Sequence, residues 1–115
     1  MLNVKKTLTK LMTREDSSAT VTKGTAGNKW CRKCGNLVEF YIEITNISWA
    51  SGWNALATLP SGYEPKEYYD FAGIDQNNDI AVHCKVSALG VISVFKASGM
   101  SANVRLHSLH FAKTS

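Results

Sequence analysis

The sequence predicts an all-β domain, an antiparallel β-sandwich of jelly-roll type carrying a short N-terminal helix. Three observations predict it. From Thr20 onward the apolar residues recur with period two rather than 3.6. About eight such runs follow one another at short, regular spacing, separated by Gly, Pro, Asn and Asp turn signals. A helical period is confined to the first 13 residues, where Met1, Val4, Leu8 and Leu11 fall at a and d positions of a heptad. The chain of 115 residues is long enough for one modest core. It divides into a helical stub and linker, 1–19, and a β head, 20–115.

The stub spans less than two heptads and is too short to hold a helix alone. It needs either its own domain or copies of itself as a partner. Thr13 to Ser18 is polar and reads as a linker. Thr20–Lys23 is a short strand. Asn28–Lys33 and Leu37–Ile44 are joined through Cys34-Gly35-Asn36-Leu37, a two-residue hairpin most naturally of type II′. Val38, Phe40, Ile42 and Ile44 share one face of the second strand, and Glu39, Tyr41 and Glu43 share the other. Gly52–Leu59 follows, with Trp53, Ala55, Ala57 and Leu59 alternating onto one face until Pro60, which lacks an N–H, ends the ladder. Gly62 gives the turn a permissive backbone and Pro65 stiffens its exit.

Lys66–Ala72 sets Tyr69 and Phe71 against Tyr68 and Asp70. Asp79–Val86 places Ile80, Val82, Cys84 and Val86 inside, with His83 and Lys85 outside. Val91–Lys96 is apolar on both faces. Its Val91 and Phe95 call for a subunit interface, or for cover by the N-terminal helix or a loop. Val104–Phe111 closes the domain. There Val104 and Leu106 are out of phase with Leu109 and Phe111, which predicts a bulge near His107-Ser108.

Few constellations carry chemistry. Cys31 and Cys34 are spaced like a redox pair, but they run into a strand rather than opening a helix, and would face opposite sides. His83 and Cys84 are adjacent on a strand and cannot share a metal with them, so no metal site is expected. Asp75, Asn77 and Asp79 begin like a calcium loop, yet Ile80 and Val86 stand where Gly and Glu are required; a polar hairpin loop is the better reading. No glycine-rich phosphate loop is present, and no cofactor is expected. Glu39 and Glu43 share a strand face and are the one carboxylate pair open to an acid–base reading. Tyr63, Tyr68 and Asp70, near Trp53, suit a sugar, with rings for its apolar face and a carboxylate for its hydroxyls. Core packing is the plainer role for Trp53, Tyr69 and Phe71.

The net charge of +4 is uneven, +6 over residues 1–35 and −2 over the rest. The basic end lacks the interleaved aromatic residues of a nucleic-acid surface, and no nucleic-acid partner is expected. No apolar run approaches the ~18 residues of a membrane span, and Lys5, Lys6 and Lys10 interrupt any secretory h-region. Synthesis and first folding in a cytoplasm, without membrane insertion, is the expectation.

Four stretches in series are similar to the small head domains of bacteriophage tail and baseplate proteins, especially those of phages and prophages of Gram-positive bacteria. They are Leu2-Asn3-Val4-Lys5-Lys6-Thr7-Leu8-Thr9-Lys10; Gly27-Asn28-Lys29-Trp30-Cys31-Arg32-Lys33; Ala57-Thr58-Leu59-Pro60-Ser61-Gly62-Tyr63-Glu64-Pro65; and Ile80-Ala81-Val82 with Gly90-Val91-Ile92-Ser93-Val94. The resemblance implies a non-enzymatic homotrimer in the virion tail that contacts other tail or baseplate proteins and a host-surface saccharide. It also implies a trimer interface through Val4, Leu8, Leu11, Val91 and Phe95. Cys31 and Cys34 depart from it, standing where larger residues are usual. An assembly module without a ligand, or a cell-wall glycan hydrolase, are the alternatives.

Overall fold

The computed structural model describes residues 14–113. The predicted helix, with Val4, Leu8 and Leu11, lies outside the described residues. Those that are described form nine strands and no helix: β1 (Arg14–Ser17), β2 (Thr20–Val21), β3 (Thr25–Cys34), β4 (Leu37–Thr45), β5 (Gly52–Thr58), β6 (Tyr69–Asp75), β7 (Ile80–Val86), β8 (Val91–Lys96) and β9 (Val104–Phe111). In place of the expected two-layer jelly roll, all nine hydrogen-bond into one sheet, in the order β1-β3-β4-β9-β6-β7-β8-β5-β2. Every pairing is antiparallel.

This sheet is curled into a half-barrel, and the chain itself shows how tightly. β1 and β2 are the two outermost strands, yet only Ser18 and Ala19 separate them. Three Cα–Cα steps span at most about 11 Å, so the opposite edges must come that close. Lys29 fixes the link: its Nζ donates to Ser18 Oγ at 2.6 Å and to Ala19 O at 2.7 Å. Ala19 is buried beneath it. The described part of the expected linker is therefore the strand β1. Its side chains are all exposed, so backbone pairing to β3 holds it, and no hydrophobic period announces it.

The core fills the concave face. Val38, Phe40, Ile42 and Ile44 of β4 meet Val104 and Leu106 of β9, Val82, Cys84 and Val86 of β7, Ile92 and Val94 of β8, and Leu56 of β5. The predicted hairpin forms between β3 and β4, where Cys34 pairs with Leu37 and Gly35 takes φ 60°. Two expectations of phase fail, for opposite reasons. β5 carries a bulge between Ala55 and Ala57. Asn54 and Leu56 therefore point inward before it, Ala57 and Leu59 after it, and Trp53 is left outside. In β9 the expected bulge is absent: its register with β4 runs unbroken from Val104 to Phe111. Leu109 and Phe111 are exposed, and His110 turns inward.

The sheet bends where β9 meets β6 through two pairs only, Ile74 with Arg105 and Asp75 with Val104. At this corner Gly73 faces the core, and a Cβ there would lie 2.8 Å from Leu106 Cδ2 and 2.9 Å from Cys84 Sγ. Asp75, fully buried, ties the corner to the β8–β9 loop. Its carboxylate accepts from Ser101 N (2.7 Å), Ser101 Oγ (2.6 Å), Asn77 N, Asn78 N and Asn78 Nδ2. Burial alone would raise its pKa. The bonds from Ser101 and Asn78 outweigh burial and hold the carboxyl well below the usual carboxylate range. All of its acceptor capacity is spent within the protein, so the calcium-like spacing builds a loop lock. At the other end, Pro60 to Tyr63 is a turn closed by Tyr63 N donating to Pro60 O at 3.1 Å, with Gly62 at φ 91° in its third position. It seats Leu59, Tyr63 and Pro65 in the mouth of the half-barrel.

Gly73→Ala is expected to destabilise the domain by about 1–3 kcal/mol through overpacking at the corner. Urea unfolding followed by tryptophan fluorescence measures it.

Candidate functional site

Because one face of the sheet is spent on the core, recognition chemistry must come from the convex face or from the loops. Alternation assigns the convex residues, and register lines them up. On β3, β4 and β9, Trp30 pairs with Tyr41 and Tyr41 with His107, one row across three strands. The next row is Arg32, Glu39 and Leu109, and the one after it Cys34, Leu37 and Phe111.

The first row borders a groove of ≈ 490 Å³ lined by Trp30, Tyr41, His107, Arg105, Ala72, Gly73 and Ile74. It opens beside the corner, where β6 and β9 part after two pairs. The Trp30 and Tyr41 rings lie 5.9 Å apart and 26° from parallel. His107 meets both edge-on, at 6.1 and 6.3 Å. The Arg32 guanidinium sits 4.0 Å over the Trp30 ring. His107 Nε2 is 2.7 Å from Glu39 Oε2. The Tyr41 hydroxyl donates to Glu43 Oε2 at 2.5 Å, while Glu43 Oε1 accepts from Asn28 N at the β3 bulge. Burial first, and the Glu43 carboxylate second, raise the Tyr41 pKa, so the phenol stays protonated. Arg105 lines the same groove, and its Nε is buried with no hydrogen-bond partner among the described residues.

Glu39 and Glu43 are thus engaged separately, one by His107 and one by Tyr41. Four residues along a strand also separate them by about 13 Å, beyond the spacing of either kind of glycosidase pair.

Of the three residues expected to bind a ligand, two lie exposed at the start of β6 and one is buried. Tyr68 is exposed, and Asp70, also exposed, lies with its Oδ2 3.5 Å from His83 Nε2. Tyr63 is 6 % exposed and belongs to the core. Its position at the barrel mouth removes it from solvent, with Lys33 Nζ over its ring at 5.7 Å. Of the expected interface residues, Val91 is half-buried, and Phe95 is exposed against the Trp53 ring at 5.4 Å. Trp53, expected in the core, stands on the convex face because of the β5 bulge. Tyr69 and Phe71 pack against the core as expected.

Sequence reasoning missed the Trp30 groove. Its signal was present in the alternation Trp30-x-Arg32 facing Glu39-x-Tyr41, but the partner His107 becomes visible only with the β9 register. The cysteines offer no nucleophile at the core: burial pushes the Cys31 thiol up to about 11 and Cys84 up to about 12. No group of His, Cys, Asp or Glu among the described residues is arranged to hold a metal.

No family model matches the sequence, and no curated protein matches it. Among solved structures the chain is similar to the receptor binding protein (gp15) of Listeria phage PSA, with a TM-score of 0.69 at 16 % identity. The likeness covers 95 % of this chain and 72 % of that one. The chain therefore has the fold of a phage receptor-binding protein.

The mouth of the barrel generates a pH dependence. His110 Nε2 lies 2.7 Å from Tyr63 O, a carbonyl that can only accept, so Nε2 carries the proton. Nδ1 then accepts from the Tyr69 hydroxyl at 2.8 Å, with Ser108 Oγ 3.0 Å from that hydroxyl. Burial lowers the His110 pKa, against a smaller opposing effect of the Tyr63 bond. The folded state thus holds a neutral imidazole, while the unfolded chain takes up a proton below about pH 6.5. Stability is expected to be level above that pH and to fall as pH drops toward the folded value. Thermal melts between pH 7.5 and 5 check it: His110→Gln should lower Tm at neutral pH and flatten the decline.

Proposed function

We propose that this chain is a head domain of a phage or prophage tail that recognises the host cell surface through a saccharide, as a homotrimer. Its fold likeness to a phage receptor-binding protein supports the tail and receptor-binding roles. The observation that carries the ligand class is the Trp30–Tyr41–His107 row beside Arg105. Rings of this kind stack on the apolar face of a pyranose. Arg105 and the His107–Glu39 pair supply donors and acceptors at the edge, where sugar hydroxyls project. The groove is shallow and open, suited to one or two residues of a longer glycan rather than to an enclosed small molecule.

For the trimer, the supporting surface is Leu37, Leu109 and Phe111, 41 %, 54 % and 70 % exposed and contiguous across β4 and β9. The row Arg14-Cys34-Leu37-Phe111 joins this patch to β1, the strand that follows the apolar heptad of Val4, Leu8 and Leu11. Assembly beside other tail or baseplate proteins in the virion fits the same end of the domain.

A fluorescent fusion should decorate Gram-positive host cells, survive protease treatment of those cells, and lose binding after periodate oxidation of their glycans. Trp30→Ala and Tyr41→Ala should each weaken decoration by about two- to tenfold, from about 0.5–1.5 kcal/mol per lost aromatic contact, with unchanged melting. Decoration that disappears with protease and persists after periodate rejects the saccharide. Sedimentation should give a trimer, and Leu109→Ser with Phe111→Ser should shift it to monomer; a monomeric parent at micromolar concentration rejects the homotrimer.

A further inference from the structure

The convex face repeats its own chemistry. On the far half of the sheet Trp53 pairs with Phe95 across β5 and β8, and His83 lies one step beyond the Cys84–Val94 pair on β7, completing a second row of Trp, aromatic and His. The adjacent row holds Lys85 paired with Asp70. Lys85 Nζ sits 4.2 Å over the Trp53 ring, as Arg32 does over Trp30. His83 meets Trp53 edge-on at 4.8 Å, and Phe95 does so at 5.4 Å. The imidazole is held beside a carboxylate, Asp70, as His107 is beside Glu39. Each half of the sheet thus carries a tryptophan capped by a cation, edged by a histidine, with the histidine paired to an acid.

We propose that Trp53, Phe95, His83, Lys85 and Asp70 form a second saccharide-contacting surface, taking the same class of pyranose ligand as the Trp30 groove. The inference rests on the saccharide reading above. It also reassigns Phe95, which the sequence placed in a subunit interface. A dry interface over this surface would bury Lys85 and Asp70 with their charges desolvated. A sugar leaves such groups wet at its rim and uses them as hydrogen-bond partners. The occupant follows from the row itself: with Lys85 over one face of Trp53, the rest of that ring, Phe95 and the carboxylate of Asp70 match a ligand with an apolar face and neutral hydroxyl edges.

The two rows are centred on β4 and β8, four strand spacings apart, about 19 Å along the curled sheet. One short sugar cannot bridge them. They engage separate residues of one polymer or separate glycan chains, and the second contact then acts at high effective concentration.

The three tryptophans give separate reporters. Trp49 Nε1 donates to Ser101 O at 2.9 Å and serves as the internal reference. Indole N–H signals of the ¹⁵N-labelled protein are followed during titration with methyl glycosides of glucose, galactose, N-acetylglucosamine and rhamnose. With at least one glycoside both the Trp30 and Trp53 signals should move, and Trp49 should not. Trp53→Ala should leave the Trp30 titration midpoint unchanged within about twofold, while weakening retention on host cell walls by about tenfold or more. Movement of Trp30 without Trp53 overturns this inference and leaves the proposed function standing. Stillness of both with every glycoside overturns both. A Trp53 signal that moves on dilution without sugar marks a subunit contact and overturns this inference alone.

Discussion

The two-residue link between the outermost strands is the constraint on which the rest of the structure depends. Ser18 and Ala19 cannot span a flat sheet of nine strands, which would be nearly 40 Å across at ~4.8 Å per strand. The sheet must therefore curl until its edges almost touch. Lys29 reinforces the link with two hydrogen bonds, and the buried methyl of Ala19 seals the gap from within. Curling makes an inside and an outside. The inside takes the branched aliphatic residues of β4, β7, β8 and β9; the outside is left with tryptophans, histidines and charges in register.

The open ends pose a second problem, since a curled sheet leaves backbone polar groups and core side chains near water at each mouth. Each end is closed by different means. Asp75 gathers five donors from two loops at one end. The Pro60–Tyr63 turn, with His110 bonded to Tyr63 O, plugs the other. Both are polar constructions inside an apolar domain, and both keep their buried groups fully partnered. The Trp30 groove instead contains Arg105 Nε without a hydrogen-bond partner among the described residues. A domain that satisfies its buried polar atoms elsewhere places its unmet bonding capacity beside the aromatic row.

Most of the strands were legible in the sequence, their order in one curled sheet was not, and the failures of phase share a cause. Alternation reports faces only while the register is continuous. β4 obeyed it throughout, with Val38 to Ile44 buried on one side. In β5 the Ala55/Ala57 bulge inverted the phase and hid Trp53's exposure. In β9 an unbroken register carried His110 inward, because Tyr69 and Tyr63 O satisfy it; no hydropathy rule anticipates a buried histidine whose partners lie about 40 residues away. β1 escaped notice because Arg14, Glu15, Asp16 and Ser17 bury nothing. The Trp30 groove was half legible: its β3 and β4 residues follow from the hairpin, but the third strand of its row comes from the far end of the chain. The turn that carried the family resemblance closes one mouth of the half-barrel, with Tyr63 in the core.

The edges have a further consequence. A sheet of nine strands ordinarily offers two long rims of unpaired amides to any neighbour. Here the two outermost strands, four and two residues long among the described residues, are drawn together at one seam. They cover their neighbours only in part: β1 pairs with β3 from Cys31 to Cys34 and β2 with β5 at Ala57 and Thr58, so the outer edges of residues 25–30 and 52–56 carry no strand partner among the described residues. Lys29 stands on one of those stretches and reaches across the seam to Ser18 and Ala19, so the edge that the short strands leave uncovered is guarded by a charge rather than by a longer strand.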